Sequence, residues 1–241
     1  MEQHNKIINT VAKQYLASEG LFRVGSSRTW IDDNGYFLTI VEFQSSGYAK
    51  GTYLNVGINF MWDKTEDLNK NLGFDCGDRV IIGKGTQFAE YRERLKNCDE
   101  IFTAEVEKFA VVAVEKVKEY RKFCDFDYAK KQILTKIKQT HKDCIFWEMY
   151  DLAMLCFFNG NFNEGKEYFN RFLETAKNSV YMGNTYCEWV EEFYNYCISE
   201  IVPLINSVDI AQKMVFEMIN KRRIYFNNKS SYKKMRKDIV F

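Results

Sequence analysis

The sequence predicts an α+β protein: an N-terminal helix plus an antiparallel β meander, followed by a C-terminal array of antiparallel helical hairpins. Three observations carry that reading. Hydrophobic residues make up 46% of the 241 positions, enough to build a folded core. Between about 21 and 82, apolar residues recur with a period of two between turn signals. From about Asp99 onward the period changes to 3.6.

Ile7, Ile8, Val11, Ala12, Tyr15 and Leu16 have helical spacing over 6–18, and Gly20 follows as a stop. Residues 21–24 and 28–31 read as short strands around the Gly25-Ser26-Ser27 turn. Asn34-Gly35 favours a two-residue hairpin because both positions tolerate positive φ. Residues 36–43 are β-branched and aromatic on both faces, as in a central strand. Along 52–60, Leu54, Val56, Ile58 and Phe60 alternate with Tyr53, Asn55, Gly57 and Asn59. Residues 79–82 form a weaker strand pattern.

The helical stripes then begin. Val106, Phe109, Ala110, Ala113, Val114 and Val117 make one, and Ala129, Ile133, Leu134 and Ile137 a second. Segments 145–158, 163–177, 185–202 and 208–224 each carry an apolar face, so the helices read as three consecutive hairpins. Breaks fall at Asn159-Gly160-Asn161, Gly183-Asn184 and Pro203. The expected division is 1–97, 98–224 and a basic tail over 225–241. No linker rich in Pro, Gly or Ser separates the first two parts, so they are expected to pack as one body.

Within the array, the hairpin 149–177 resembles a tetratricopeptide unit. Leu152, Ala153, Gly160, Gly165 and Phe169 follow its small-and-large pattern. Phe172 stands where that repeat has a small residue, and no proline closes the unit. An ordinary helical hairpin accounts for the same residues.

Composition narrows the function classes. Lys plus Arg is 34 and Asp plus Glu 33, a net charge of +1, which excludes a uniformly basic nucleic-acid coat. Seven cysteines, an odd number without Cys-x-x-Cys spacing, suit reduced structural thiols in a cytoplasmic protein. No apolar run approaches membrane length and the N-terminus lacks a signal-peptide core, so no membrane association is expected.

The sequence offers little catalytic chemistry. Its only histidines are His4 and His141, neither with metal-ligand spacing, and no Gly-x-Ser-x-Gly elbow occurs. Gly83-Lys84-Gly85-Thr86 lacks the arc that precedes Gly-Lys in a phosphate loop. No metal or other cofactor is therefore expected. The remaining catalytic alternative is a metal-dependent hydrolase or nuclease using Glu42, Asp75 and Asp78 with Arg79. Nothing in the spacing forces these carboxylates together, and aspartate is at home in turns.

Binding residues are easier to name. Tyr53, Asn55 and Asn59 share one side of the 52–60 strand, with Gly57 leaving a gap among them. Gln44 lies across the turn. Amides and a phenol supply donors and acceptors without charge, which suits a peptide edge or a small polar ligand. A solvent-facing sheet side with a bulge accounts for the same pattern.

The run Gly20-Leu21-Phe22-Arg23, Ser27-Arg28-Thr29-Trp30, Gly35-Tyr36, Val41-Glu42-Phe43-Gln44-Ser45-Ser46 and Thr52-Tyr53-Leu54-Asn55-Val56-Gly57 resembles a bacterial family of uncharacterised domains, domain of unknown function 4304. The resemblance covers roughly residues 5–120. It implies an α+β domain, brings no established reaction, and places Gln44, Ser45, Asn55 and Gly57 in the shared feature. Trp30 joins Gln44, Ser45, Tyr53, Asn55 and Asn59 as a binding candidate.

One charge asymmetry stands out. Residues 221–241 carry a net +7 and the rest −6, with Tyr225, Phe226 and Tyr232 interleaved. Arg222, Arg223, Lys233, Lys234 and Arg236 are thus candidates for stacking-assisted nucleic-acid binding. Self-docking on the acidic body accounts for the tail equally well. Missing catalytic constellations and an aromatic content of 16% favour a non-catalytic protein-interaction module with a protein partner. By analogy with small bacterial domains of this kind, the expected role is toxin neutralisation (immunity) or phage defence.

Overall fold

The computed structural model describes residues 2–62, 75–82, 85–139, 145–182, 185–232 and 235. The chain divides into two compact units, Met1–Lys122 with Arg223–Phe241, and Phe123–Arg222.

The first unit opens with α1 (Gln3–Ser18) and continues into an antiparallel sheet. Its strands are β1 (Phe22–Arg23), β2 (Thr29–Asp33), β3 (Phe37–Gln44), β4 (Gly51–Phe60), β5 (Cys76–Arg79) and β6 (Phe88–Glu90). They pair in the order β1-β2-β3-β4-β5, with β6 taking the start of β4 alongside β5. A turn through Asn34 and Gly35 joins β2 to β3 where expected, but it is longer than a two-residue hairpin: Asp33 pairs with Leu38, and of the two residues only Gly35 takes positive φ, at 91°. The weak strand lies three residues earlier than its sequence pattern indicated, and Ile82 instead bridges Thr86.

Helix α2 (Cys98–Tyr120) belongs to this unit, so the first boundary falls after 122 and not at 97. The reason is its apolar stripe. Phe102, Val106, Phe109, Ala110, Ala113 and Val117 join Ile8, Val11, Ala12 and Leu16 of α1 in one core with Trp30, Val41, Phe43, Leu54 and Val56 of the sheet. Burying a large aliphatic or aromatic side chain of this kind stabilises by about 2 kcal/mol. The two helices run in the same direction. Gln3 donates to Asp99 (2.7 Å) where both begin, and Arg121 donates to the Glu19 carbonyl (2.6 Å) where both end. Helix α2 thus pairs with α1.

Because side chains alternate along a strand, Asp32 and Asp33 emerge on opposite faces of β2. Each meets an arginine. Arg121, just past α2, grips Asp32 with two bonds (2.8 and 3.1 Å). Arg223, near the end of α7 (Val208–Asn227), grips Asp33 with two more (2.7 and 3.0 Å) and also donates to the Gly35 carbonyl. Arg223 is completely buried. Further along, Ser231 lies against Gly25, so residues 223–231 run the length of β2 over the face away from α1.

The predicted tail is therefore partly structural. Arg222 and Arg223 are buried and cannot serve as a nucleic-acid surface, because the fold places their guanidinium groups inside. Tyr232 and Met235 are buried too. Lys233, Lys234 and Arg236 lie outside the described residues.

The second unit is helical. Helix α4 (Phe146–Phe158) and α5 (Phe162–Ser179) form the hairpin read from the sequence, turning at Gly160 with φ 77°. Gly165 is required there: a Cβ would lie 2.5 Å from the Phe157 ring. Helix α3 (Phe126–Gln139) is tied to the hairpin by Lys136–Glu148 (2.9 Å) and Lys130–Glu164 (2.5 Å). The helix expected from 185 starts later. β7 (Tyr181–Met182) and β8 (Thr185–Tyr186) pair first, and α6 (Glu188–Tyr196) follows. It then loosens into a π-helical turn over Cys197–Ile201 and a tight turn over Val202–Leu204, where Pro203 lacks the N–H needed to continue an α-helix.

Asp33→Asn is expected to cost about 3–5 kcal/mol, since it strands the buried Arg223 charge. Adding Arg223→Met should recover part of that loss. Urea midpoints of the two single and one double replacement measure the coupling, and simple additivity would overturn this account.

Candidate functional site

The sheet brings five of the predicted residues together. On the face away from α1, Glu42 and Asn55 pair across β3 and β4, Gln44 pairs with Tyr53, and Asn55 pairs with Arg79 of β5. The Asn55 amide donates to Glu42 (2.9 Å) and to Gln44 (3.0 Å). Arg79 donates to Gln44 (2.6 Å) and to the Asn55 carbonyl oxygen (3.4 Å). Its guanidinium lies 4.0 Å over the Tyr53 ring. The result is a cross-strand polar ladder in which Asn55 bonds both Glu42 and Gln44 and Arg79 closes onto Gln44.

The neighbouring positions depart from the expectation of an open polar face. Asn55 is 9% exposed and Asn59 is buried, because β4 is paired along both edges and both faces of its central stretch are covered. The gap at Gly57 is closed by Gly77 of β5. A Cβ on Gly77 would lie 2.3 Å from the Gly57 Cα, so the two glycines are a close backbone approach and leave no ligand slot.

The structure does not bring Glu42 and Asp75 together. Asp75 accepts from the Phe60 N–H (2.6 Å) and from Asn59 (3.3 Å), whereas Glu42 is bound at Asn55. Four residues of β4 separate those anchors, about 13 Å along a strand. Asp78 stands in register with Val56, out of phase with the Asn55–Arg79 pair. Among the described residues, no group of three His, Cys, Asp or Glu side chains could hold a metal ion. The Gly83-Lys84 pair lies outside the described residues. Cys156 is an inert thiol: burial, reinforced by the Glu164 carboxylate, pushes its pKa up to about 12.

Two concave sites went unread in the sequence. Ser45 is exposed on the rim of a pocket of about 410 Å³ that also takes in His4, Arg28 and Lys50. The cations there are engaged: Arg28 donates to Asn5 and to the Gly51 carbonyl, and Lys50 pairs with Glu93 (2.8 Å) and Glu2 (3.5 Å). His4 is buried, and its Nδ1 has no partner among the described residues. Trp30 lines a second groove, of about 950 Å³, between α1 and β1. Neither cavity carries a sequence motif: the larger is lined by residues 9–23 and 30, and the smaller brings residues 2–5 and 28 to the 45–50 loop.

In the helical unit, the indoles of Trp147 and Trp189 stack with centroids 6.1 Å apart and planes at 5°. Trp147 also packs on Phe193, at 4.8 Å.

Asn55→Ala is expected to destabilise by about 2 kcal/mol, since it leaves Glu42, Gln44 and Arg79 short of partners together. A urea midpoint unchanged from the parent would overturn the ladder's structural role. Burial holds the His4 imidazole below its ordinary range, against the weaker pull of Glu2. Below the ordinary histidine pKa only the unfolded chain then takes up this proton, so stability falls with pH between the ordinary and the lowered value. Proton NMR of the two histidines should give His4 a midpoint below that of an unfolded-chain histidine; an equal or higher midpoint refutes it. No protein-family model, curated protein or solved structure matches the chain, so the resemblance over residues 5–120 rests on its sequence pattern alone.

Proposed function

We propose that the chain is a non-catalytic protein-binding module whose helical unit carries the contact surface. The observation that supports it is a concentration of exposed apolar residues in one stretch. Trp189 is 50% exposed, and Ile198, Val202, Leu204, Val208 and Ile210 are each 40–42% exposed. Single exposed hydrophobes are ordinary, but several together with a tryptophan are the composition of a protein contact. Trp189 is held by Trp147, so docking against it costs little side-chain entropy.

The polar ladder of the sheet is a weaker candidate for the contact, because its donors and acceptors already satisfy one another. The finer reading, an immunity or phage-defence protein, rests on the sequence resemblance alone.

A tagged full-length chain purified from the cells that make it, at moderate salt, tests the proposal. A stoichiometric protein partner identified by mass spectrometry is expected, and Trp189→Ala should weaken its capture at least tenfold while Asn55→Ala leaves it bound. Nucleic acid in place of protein in the eluate, or a partner indifferent to Trp189→Ala, overturns the assignment to this surface.

A further inference from the structure

The groove beside α1 has a distinctive chemistry. Its lining holds Lys13 and Arg23 and no Asp or Glu, a local charge of +2. Lys13 is exposed and has no carboxylate partner among the described residues. Arg23 donates to the carbonyls of Ser26 and Ser27, which fixes the guanidinium while leaving its charge uncompensated. Its field extends inward: the neighbouring Arg28 is held below its ordinary range first by burial and then by Arg23.

The floor is apolar, formed by Leu21 and Trp30 with Ala17 on the helix side. Trp30 is 4% exposed, yet its Nε1–H is buried without an acceptor among the described residues. Leaving such a donor unmet costs about 1–3 kcal/mol. Along α1 the lining extends from Asn9 to Ser18, about 14 Å at the helical rise. That length suits a small molecule better than a folded partner, and the volume of about 950 Å³ lies in the range of ligand sites.

We propose that this groove binds a small organic anion with an apolar body, its acidic head between Lys13 and Arg23 and its acyl or aryl part on Leu21 and Trp30. The inference goes beyond the protein-binding reading and does not depend on it, since every residue involved lies in the first unit.

Decanoate is the probe, with decanol as the same body lacking the charge, titrated calorimetrically into the full-length chain. Decanoate should bind at least tenfold more tightly than decanol, and the difference should shrink at high salt. Lys13→Gln, an exposed change that leaves the core alone, should weaken decanoate about tenfold, the loss of one charged hydrogen bond. Equal binding of acid and alcohol, indifference to Lys13→Gln, or no binding of decanoate at millimolar concentration would each refute the site.

Discussion

Two adjacent aspartates organise the first unit. Asp32 and Asp33 end β2 with their carboxylates on opposite faces, and each receives a bidentate arginine from a different helix. A buried ion pair earns little net stability over a well-packed apolar pair, because desolvation offsets the Coulombic gain. What it imposes is specificity: only one placement of Arg121 and of Arg223 leaves no charge stranded. Arg121 fixes the end of α2 against one face, with Glu19 completing its ring of acceptors. Arg223 fixes α7 against the other and ties off the turn through Gly35.

Much of the sheet was legible because its signals are local. Asn34-Gly35 gave the central hairpin, and the alternation along 52–60 gave β4 nearly to the residue. What alternation could not reveal was burial on both faces, since polar residues satisfied by one another can sit inside. Asn55 and Asn59 read as solvent-facing for that reason. Gly57 read as a gap in the strand, and what fills it is the backbone of Gly77, whose φ of 140° the sequence does not announce. The polar cluster itself was half foreseen: Gln44, Tyr53 and Asn55 were grouped, whereas Glu42 and Arg79 were assigned to different chemistry although the register unites all five.

Long-range pairing explains the rest. The stripe on α2 was evident, but its partner was not: it packs on Ile8, Val11, Ala12 and Leu16 of α1, far earlier in the chain. Basic residues near 221–223 looked like a solvated patch because composition does not distinguish a charge in water from one spent on a buried carboxylate. The two parts of the molecule also use their polar groups differently. In the sheet ladder Glu42, Gln44, Asn55 and Arg79 bond one another across three strands. Unmet capacity sits in the groove by α1, and unmet apolar area sits on the helical unit.

The reach of Arg223 back to Asp33 spans 190 residues. Since Phe123–Arg222 form a unit of their own, that unit is an insertion, and the first unit is interrupted in sequence though continuous in space. During synthesis the sheet and its two covering helices leave the ribosome long before the segment that lies along β2. Until then the Asp33 carboxylate and the face around it stay open to water, while the inserted helices have time to fold as a block. Completion of the sheet unit is therefore a late event, gated by Arg223, which must find a carboxylate made 190 residues earlier. Without Arg223 the insertion keeps its own contacts, and the sheet loses the pairing that closes the face around Asp33.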